Sequence, residues 1–385
     1  MKRILYVQYT NPAGYPPLEH SSRILANEGW QVLFLGTGAQ GANALEFPPH
    51  PNIAVRKLQF CPAGWRQKLH FAGFGLWALG WVLRRRPNWI YASDLLSCPS
   101  VLALSFLPGL KVVYHEHDSP EARSQKSEVR SRTSSFQRFV MWSRKKLARR
   151  AALCILPNEK RIEHFKEQTG TTRPVLCVWN CPRQEEVATN LKSEGGKFIV
   201  FFHGSIVPAR LPVTVIDAMA MLPENIVLRV AGYETVGHQG YVKSLQARAQ
   251  NLGVGSRIEF LGAFPRHQLL DQCREAHIGL AFMPMSSTDV NEQTMTGASN
   301  KPFDYLACGL ALMVSARPDW EEMFVQPGYG LAGNPNDADS IAAKLRWFLE
   351  HPKETCEMVE RGQQRILAEW NYETQLAPML AKLES

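Results

Sequence analysis

Short apolar runs alternate with amphipathic stretches along most of the chain. An apolar run over 3–8 predicts a first strand, and 18–28 has helical character and ends at Gly29. Residues 31–35 predict a second strand, closed by Gly36-Thr37-Gly38, and 52–58 alternates as a third. A helix is expected over 67–85, then strands at 89–92 and 111–115 flanking a short helix around 101–105. The basic stretch 121–149 reads as a long helix, followed by a strand at 153–156, a helix at 160–168 and a strand at 175–178. Strands alternating with helices demand a parallel sheet covered by helices on both faces.

The pattern then breaks and restarts. Residues 181–196, from Cys181-Pro182 to Gly195-Gly196, are polar and read as an interdomain linker. Strands are predicted again at 198–202, 226–230, 257–261, 278–282 and 311–315, with helices at 212–221, 241–252, 267–275 and from 301 to 307. Three further helical segments end the chain. The expected fold class is α/β: two tandem Rossmann-like, doubly wound domains facing across a cleft. The first covers residues 1–180 and the second 197–365. The final segment, 366–385, is expected to pack back on the first domain. Ligands of such sheets bind beyond the carboxyl ends of the strands.

Composition narrows the class. With 385 residues, each half can bury its own core. The eight cysteines are scattered without a CxxC pair, which predicts reduced thiols and a cytoplasmic protein. The apolar start Ile4–Val7 is too short for a signal peptide, and the uncharged stretch from Leu69 to Leu83 is shorter than the roughly 20 residues of a membrane span. The net charge of +8 favours anionic partners without choosing among them. No nucleic-acid motif accompanies it, so nucleic acid is not an expected partner.

The segment Ser299-Asn300-Lys301-Pro302-Phe303-Asp304-Tyr305-Leu306-Ala307-Cys308-Gly309 is the most informative. A helix starting near Pro302 leaves free amides, and the preceding small residues let a phosphate approach closely. Asp304, read as first-turn, suits a ribose diol as a two-bond acceptor. The same residues also describe a well-capped helix with a buried Tyr305/Leu306 face, and residue types alone leave both readings open. His115, Glu116, His117 and Asp118 gather at the end of another strand, where a histidine or carboxylate can take a proton; a polar strand end is the other reading. His117, nearer the loop, is preferred to His115. Two ligands on one strand face do not make a metal site. Asp337-Ala338-Asp339 precedes a helix and reads as a cap, so no metal is expected.

The 299–310 segment resembles the donor-binding motif of GT-B glycosyltransferases of group 1, the family-four-like type. Five other segments are similar to that family in the expected order: Phe201–Ser205 with Arg210, Leu228–Gly232, Ile258–Gly262 with Ala263-Phe264, Ala276–Leu280, and Val112–Asp118. The resemblance implies a metal-independent, retaining transfer of a sugar from a nucleotide-diphosphate donor to an acceptor hydroxyl, with no cofactor. It implies Asp304 on the ribose, Arg210 on the diphosphate, and the loop at Phe264 on the base. The turn Gly204-Ser205 and the loop Thr296-Gly297-Ala298-Ser299-Asn300, with Lys301, are implied around phosphate and sugar. Glu116, His117 and Asp118 become the catalytic candidates. Two positions depart from the pattern. Thr296 stands where the family has a glutamate on the donor sugar, and Ser205 where it often has an arginine. Two alternatives stay open: a nucleotide-sugar epimerase, against which Thr296 argues, and a non-catalytic GT-B scaffold subunit, which the two departures would suit and against which Asp304, Arg210, Asn300 and Lys301 weigh.

The acceptor is not readable from the sequence. Two features suggest a lipid-linked acceptor and peripheral docking on an anionic membrane, at its inner, cytoplasmic face. One is the stretch Leu69–Leu83, with Trp77 and Trp81 and the cluster Arg84-Arg85-Arg86 beside it. The other is the basic helix carrying Arg130, Arg132, Arg138, Arg144, Lys145, Lys146, Arg149 and Arg150, read as a solvated face. Each also fits an ordinary helix of a soluble core.

Overall fold

The computed structural model describes residues 2–41, 44–120, 135–188 and 196–384. The chain divides into two compact units. Unit 1 comprises Met1–Asn180, Asp289–Ala298 and Tyr372–Ser385; unit 2 comprises Cys181–Thr288 and Ser299–Asn371.

Unit 1 is built on seven parallel strands: β1 (Arg3–Val7), β2 (Gln31–Thr37), β3 (Ile53–Leu58), β4 (Trp89–Ser93), β5 (Lys111–His115), β6 (Leu153–Leu156) and β7 (Val175–Cys177). Their order is β3-β2-β1-β4-β5-β6-β7. Its helices are α1 (Pro16–Asn27), α2 (Trp65–Arg85), α3 (Cys98–Leu104), α4 (Ser135–Arg150) and α5 (Glu159–Thr169). The central strands are apolar at nearly every position because helices cover both faces. One core lies under α2, α3 and α4, with Phe71, Phe74, Ala78, Val101 and Leu147 on the sheet; the other lies under α1.

Unit 2 carries β8 (Phe198–Ser205), β9 (Ile226–Tyr233), β10 (Ile258–Gly262), β11 (Ile278–Ala281), β12 (Ala311–Ser315) and β13 (Gly330–Gly333). They are all parallel, in the order β10-β9-β8-β11-β12-β13. Helices α6 (Thr214–Ala220), α7 (Tyr241–Asn251), α8 (Arg266–Arg274), α10 (Asn300–Ala307), α11 (Ala338–Glu350) and α12 (Pro352–Ala368) surround it. The short α9 (Val290–Gln293) and the final α13 (Tyr372–Glu384) fall in unit 1. In each sheet the strand order reverses beside the first strand, at β1/β4 and at β8/β11. That crevice is where such folds hold ligands.

Several expectations change. Cys181–Glu186 belongs to unit 2, where Glu186 is buried, so this part of the expected linker is built into the second unit. The remainder, 189–195, lies outside the described residues. Residues 366–371 stay with unit 2, and only α13 joins unit 1, where Tyr372, Leu376, Met379 and Leu383 fill the core under α1. Strand β13 was not predicted, because its sequence Gly-Leu-Ala-Gly has little strand propensity. Packing overrides propensity there: a Cβ on Gly330 would lie 2.1 Å from the Leu312 carbonyl oxygen. The basic helix is described from Ser135 onward, with Arg130 and Arg132 outside the described residues. Arg144 does not sit on a solvated face; it is buried and paired. Asp337 caps α11, accepting from the amides of Asp339 and Ser340 at 3.0 and 3.3 Å. All eight cysteines are unbridged.

Candidate active site

In unit 2, β8 ends at Gly204 and Ser205, beside the start of α10. Gly204 has φ +105°, and a Cβ there would sit 3.2 Å from the Lys301 Cε and Nζ. The turn can therefore close over the lysine only as glycine. Nζ of Lys301 lies 5.4 Å from the Phe202 ring centroid. Burial under the turn, with the Arg210 charge adding and Asp304 opposing, pushes this ammonium down to about 7. Lys301 and Arg210 thus bring positive charge to the start of a helix, an arrangement that favours a phosphate.

Helix α10 begins at Asn300, two residues before Pro302, which places Asp304 beyond the first turn. The expected stabilisation of Asp304 by the helix terminus is therefore not what holds it. Its carboxylate is almost wholly buried and takes Arg266 Nη2 at 2.9 Å and Nη1 at 3.3 Å. Arg266 also donates to both oxygens of Glu186, at 2.7 and 2.9 Å. Glu186 in turn accepts the Arg183 amide at 2.8 Å. His203 Nε2 stands 3.6 Å from Asp304. Burial, with Lys301 and Arg266 adding, holds this imidazole well below its usual range, so it is neutral. The Tyr305 hydroxyl accepts the His203 amide at 3.0 Å and donates to the Leu280 carbonyl at 3.2 Å, tying α10 across β8 and β11. Gly279 makes room for it, since a Cβ there would meet the Tyr305 ring at 2.2 Å. Arg266, Glu186 and His203 were absent from the sequence-predicted site, because ion pairing across 80 residues leaves no local pattern. Phe264 is half-buried in the loop between β10 and α8.

In unit 1, the β5 end divides the catalytic candidates. Glu116 is buried; both its oxygens take Arg144, at 2.5 and 2.7 Å, and Oε2 also takes the Tyr114 hydroxyl at 2.6 Å. Glu116, expected as a base, is thus engaged at both oxygens by a buried ion pair. His115 is buried, with Nδ1 2.5 Å from the Tyr91 hydroxyl. Burial, with His117 adding, holds it well below the usual histidine range. His117 is held on three sides. Its Nε2 is 3.1 Å from Ser93 Oγ, its amide donates to Asp94 Oδ1 at 3.1 Å, and its carbonyl accepts Arg161 Nη1 at 2.6 Å. Asp118 is half-exposed and lies 3.5 Å from Arg161. Asp94 has φ +61° without being glycine, a strained conformation typical of functional sites. Asp94 and Arg161 were also missed, lacking any motif.

Thr296, Gly297 and Ala298 belong to unit 1, although Ser299, Asn300 and Lys301 belong to unit 2. The expectation that the whole loop is part of the second domain is corrected by its hydrogen bonds. Thr296, Gly297 and Ala298 carbonyls accept from Asn158 Nδ2, the Asn180 amide and Asn180 Nδ2, at 2.5, 2.8 and 2.6 Å. Among the described residues no group of His, Cys, Asp and Glu side chains is placed to hold a metal.

Residues 18–180 match the family described as "Glycosyl transferase 4-like domain", and residues 183–365 match "Glycosyl transferases group 1". The chain is a group 1 glycosyltransferase with the GT-B fold. No curated protein is significantly similar to its sequence. Among solved structures, the glycosyltransferase is similar to sucrose-phosphate synthase from Thermosynechococcus elongatus. The TM-score is 0.71 at 16% identity, over 99% of this chain and 98% of that one. It is similar to Anabaena HepE, solved with UDP and glucose, at TM-score 0.70 and 18% identity over 100% of both chains. WaaG, a glycosyltransferase involved in lipopolysaccharide biosynthesis, is similar at TM-score 0.67 and 14% identity, over 97% of this chain and 98% of that one.

Proposed function

We propose that this glycosyltransferase moves a sugar from a nucleotide-diphosphate donor to an acceptor hydroxyl, with retention and without a metal. The observation that carries this reading is the cationic turn at Gly204, with the Lys301 ammonium beneath it and Arg210 adding charge, at the start of α10. Breaking the sugar–phosphate bond builds negative charge on the nucleotide, and fixed cations and helix amides stabilise it as it develops. That supplies what a metal would supply elsewhere. HepE, of the same fold, has been solved with UDP-glucose, which makes uridine the first nucleotide to try. Asp304 is proposed to hold the ribose, with its carboxylate fixed in place by Arg266. His117, positioned by Ser93, Asp94 and Arg161, is the proposed group at the reacting hydroxyl. Incubation with UDP-, GDP- and ADP-sugars, following nucleoside diphosphate release, tests the reading. One donor class should turn over and continue to do so in EDTA. Loss of turnover in chelator with recovery on magnesium contradicts the metal-free part, and no turnover of any donor contradicts the whole.

We further propose that the acceptor is lipid-linked and that the enzyme docks on the cytoplasmic face of an anionic membrane through α2. Among the described residues no helix is long and apolar enough to cross a membrane. Trp77 and Trp81, expected to form the docking face, pack instead against the core. The exposed apolar side chains are Trp65, Leu69, Leu76 and Leu83. At about 100° per residue they form one stripe, on the side away from Phe71, Phe74, Ala78 and Val82. The stripe ends at the exposed Arg84, Arg85 and Arg86. Its start lines an open cavity shared by Tyr9, Phe71, Leu96 and Phe136, with Lys68 at its side. Such a face suits an interface of lipid and anionic headgroups. Flotation with anionic liposomes should succeed at low salt and weaken as salt rises; failure at low salt leaves an enzyme of soluble acceptors.

A further inference from the structure

Arg161 lies in the first turn of α5 and is almost completely buried, yet its main partners are neutral. Nη1 donates to the His117 carbonyl at 2.6 Å, and Nε to the Thr294 carbonyl and hydroxyl at 3.1 and 3.0 Å. Nη2 donates to the Asn291 carbonyl at 3.1 Å. The nearest carboxylate, Asp118 at 3.5 Å, is half-exposed. Burial holds the guanidinium below its usual range, with Asp118, Glu116 and Asp289 opposing. Burying a cation is costly even with carboxylates nearby, and apolar side chains in place of a buried ion pair are often no less stabilising. The arrangement therefore asks for a purpose other than stability.

The carbonyls it selects belong to two places. One is His117. The others belong to the strap Asp289–Ala298, which sits with unit 1 while the chain on either side of it belongs to unit 2. The strap is fastened at further points. Asn291 and Ser119 exchange two hydrogen bonds, 2.8 and 3.1 Å, and Asn158 and Asn180 take the Thr296, Gly297 and Ala298 carbonyls. Asn158 does two jobs, since its Oδ1 also caps α5 through the amides of Lys160 and Arg161. The fastenings at Thr296, Gly297 and Ala298 are to backbone carbonyls, and those at Asn291 and Thr294 use backbone and side chain together, so the strap is fixed in position along its length.

We propose that Arg161 is a positioning residue that locks the strap through Thr294 and Asn291 to the backbone of His117. It thereby holds Thr296 at a set distance from the histidine. The inference rests on the proposed roles of His117 and of the Thr296–Ser299 loop. Arg161→Lys keeps the charge and loses the fork that reaches three carbonyls at once. Asn158→Asp keeps the α5 cap and loses the donor to Thr296, which tests the same strap without touching Arg161. Each variant is measured for melting temperature, UDP affinity by calorimetry, and kcat and KM with the donor found above. The clamp predicts that both variants lose at least tenfold in kcat while UDP affinity stays within about twofold, because Gly204, Lys301 and Asp304 lie in unit 2. A normal kcat in both overturns it. So does a parallel loss of kcat, UDP affinity and melting temperature, which marks a merely structural arginine. His117→Ala separates the two ideas: activity retained there, with both strap variants slow, rejects the role of His117 and keeps the clamp on the strap. The reverse result rejects the clamp alone.

Discussion

The carboxyl ends of the two sheets solve opposite electrostatic problems. At the end of β5 in unit 1, charge is cancelled or spent on geometry. Glu116 is neutralised by Arg144, His115 is neutral by burial, and Arg161 is occupied by carbonyls. At the end of β8 in unit 2, Asp304 and Glu186 share the single guanidinium of Arg266, and Lys301 and Arg210 bring two further cations to the turn. The first edge is arranged to place atoms, and the second to attract an anion.

The largest effects should come from the buried ion pairs. Asp304→Ala removes two charged hydrogen bonds from the buried Arg266, each worth about 1.5–3 kcal/mol, while Glu186 still balances its charge. Urea unfolding should show that loss, and little change would mean that Arg266 relaxes to solvent. Asp304→Asn keeps the shape, should fold, and should bind UDP about tenfold more weakly, since a charged hydrogen bond is worth about 1.5–3 kcal/mol.

Next comes the contrast along β5. Glu116→Ala should destabilise through the orphaned Arg144, by a similar amount, and leave kcat per folded molecule near normal. His117→Ala should do the reverse, holding the melting temperature and losing about 10²–10⁴ in kcat. A Glu116 variant that is stable but inactive would reverse the assignment of the two residues.

A smaller effect is read from pH. Lys301 is pushed down to about 7, below the unfolded value of 10.5, so the folded free enzyme loses this proton as pH rises through 7. A diphosphate binds the protonated form. UDP affinity should therefore fall above pH 7, by up to tenfold per unit, with proton uptake on binding. Stability runs the other way. Between pH 7 and about 10.5 the unfolded chain holds more protons at this group, so its contribution to stability rises with pH. Lys301→Met should abolish the pH dependence of binding, and a flat profile in the wild-type enzyme would contradict the shift.

The fold was almost fully legible, because parallel strands buried on both sides leave continuous apolar runs, and β5, β6 and β12 fall where the sequence predicts them. The exception, β13, owes its place to close backbone approach rather than to propensity. The β8 turn and the start of α10 were legible too, since Gly204, Asn300 and Lys301 are local signals. What sequence could not show was pairing at a distance. Glu116 looked like a free base until Arg144, 28 residues on, closed over it. Arg266 and Arg161 carried no motif at all. The strap Asp289–Ala298 read as part of the second domain, because residues that belong to the other unit flank it on both sides in sequence.

The central claim is that the β8 turn and the start of α10 hold the donor diphosphate. Calorimetry of uridine, UMP and UDP with the wild-type enzyme and Lys301→Met at pH 6.5 tests it most directly. The account predicts that UDP binds the wild type at least tenfold more tightly than UMP, and that this advantage collapses in Lys301→Met while uridine binds both alike. Equal affinities for UDP and UMP, or an undiminished UDP advantage without the lysine, would contradict it.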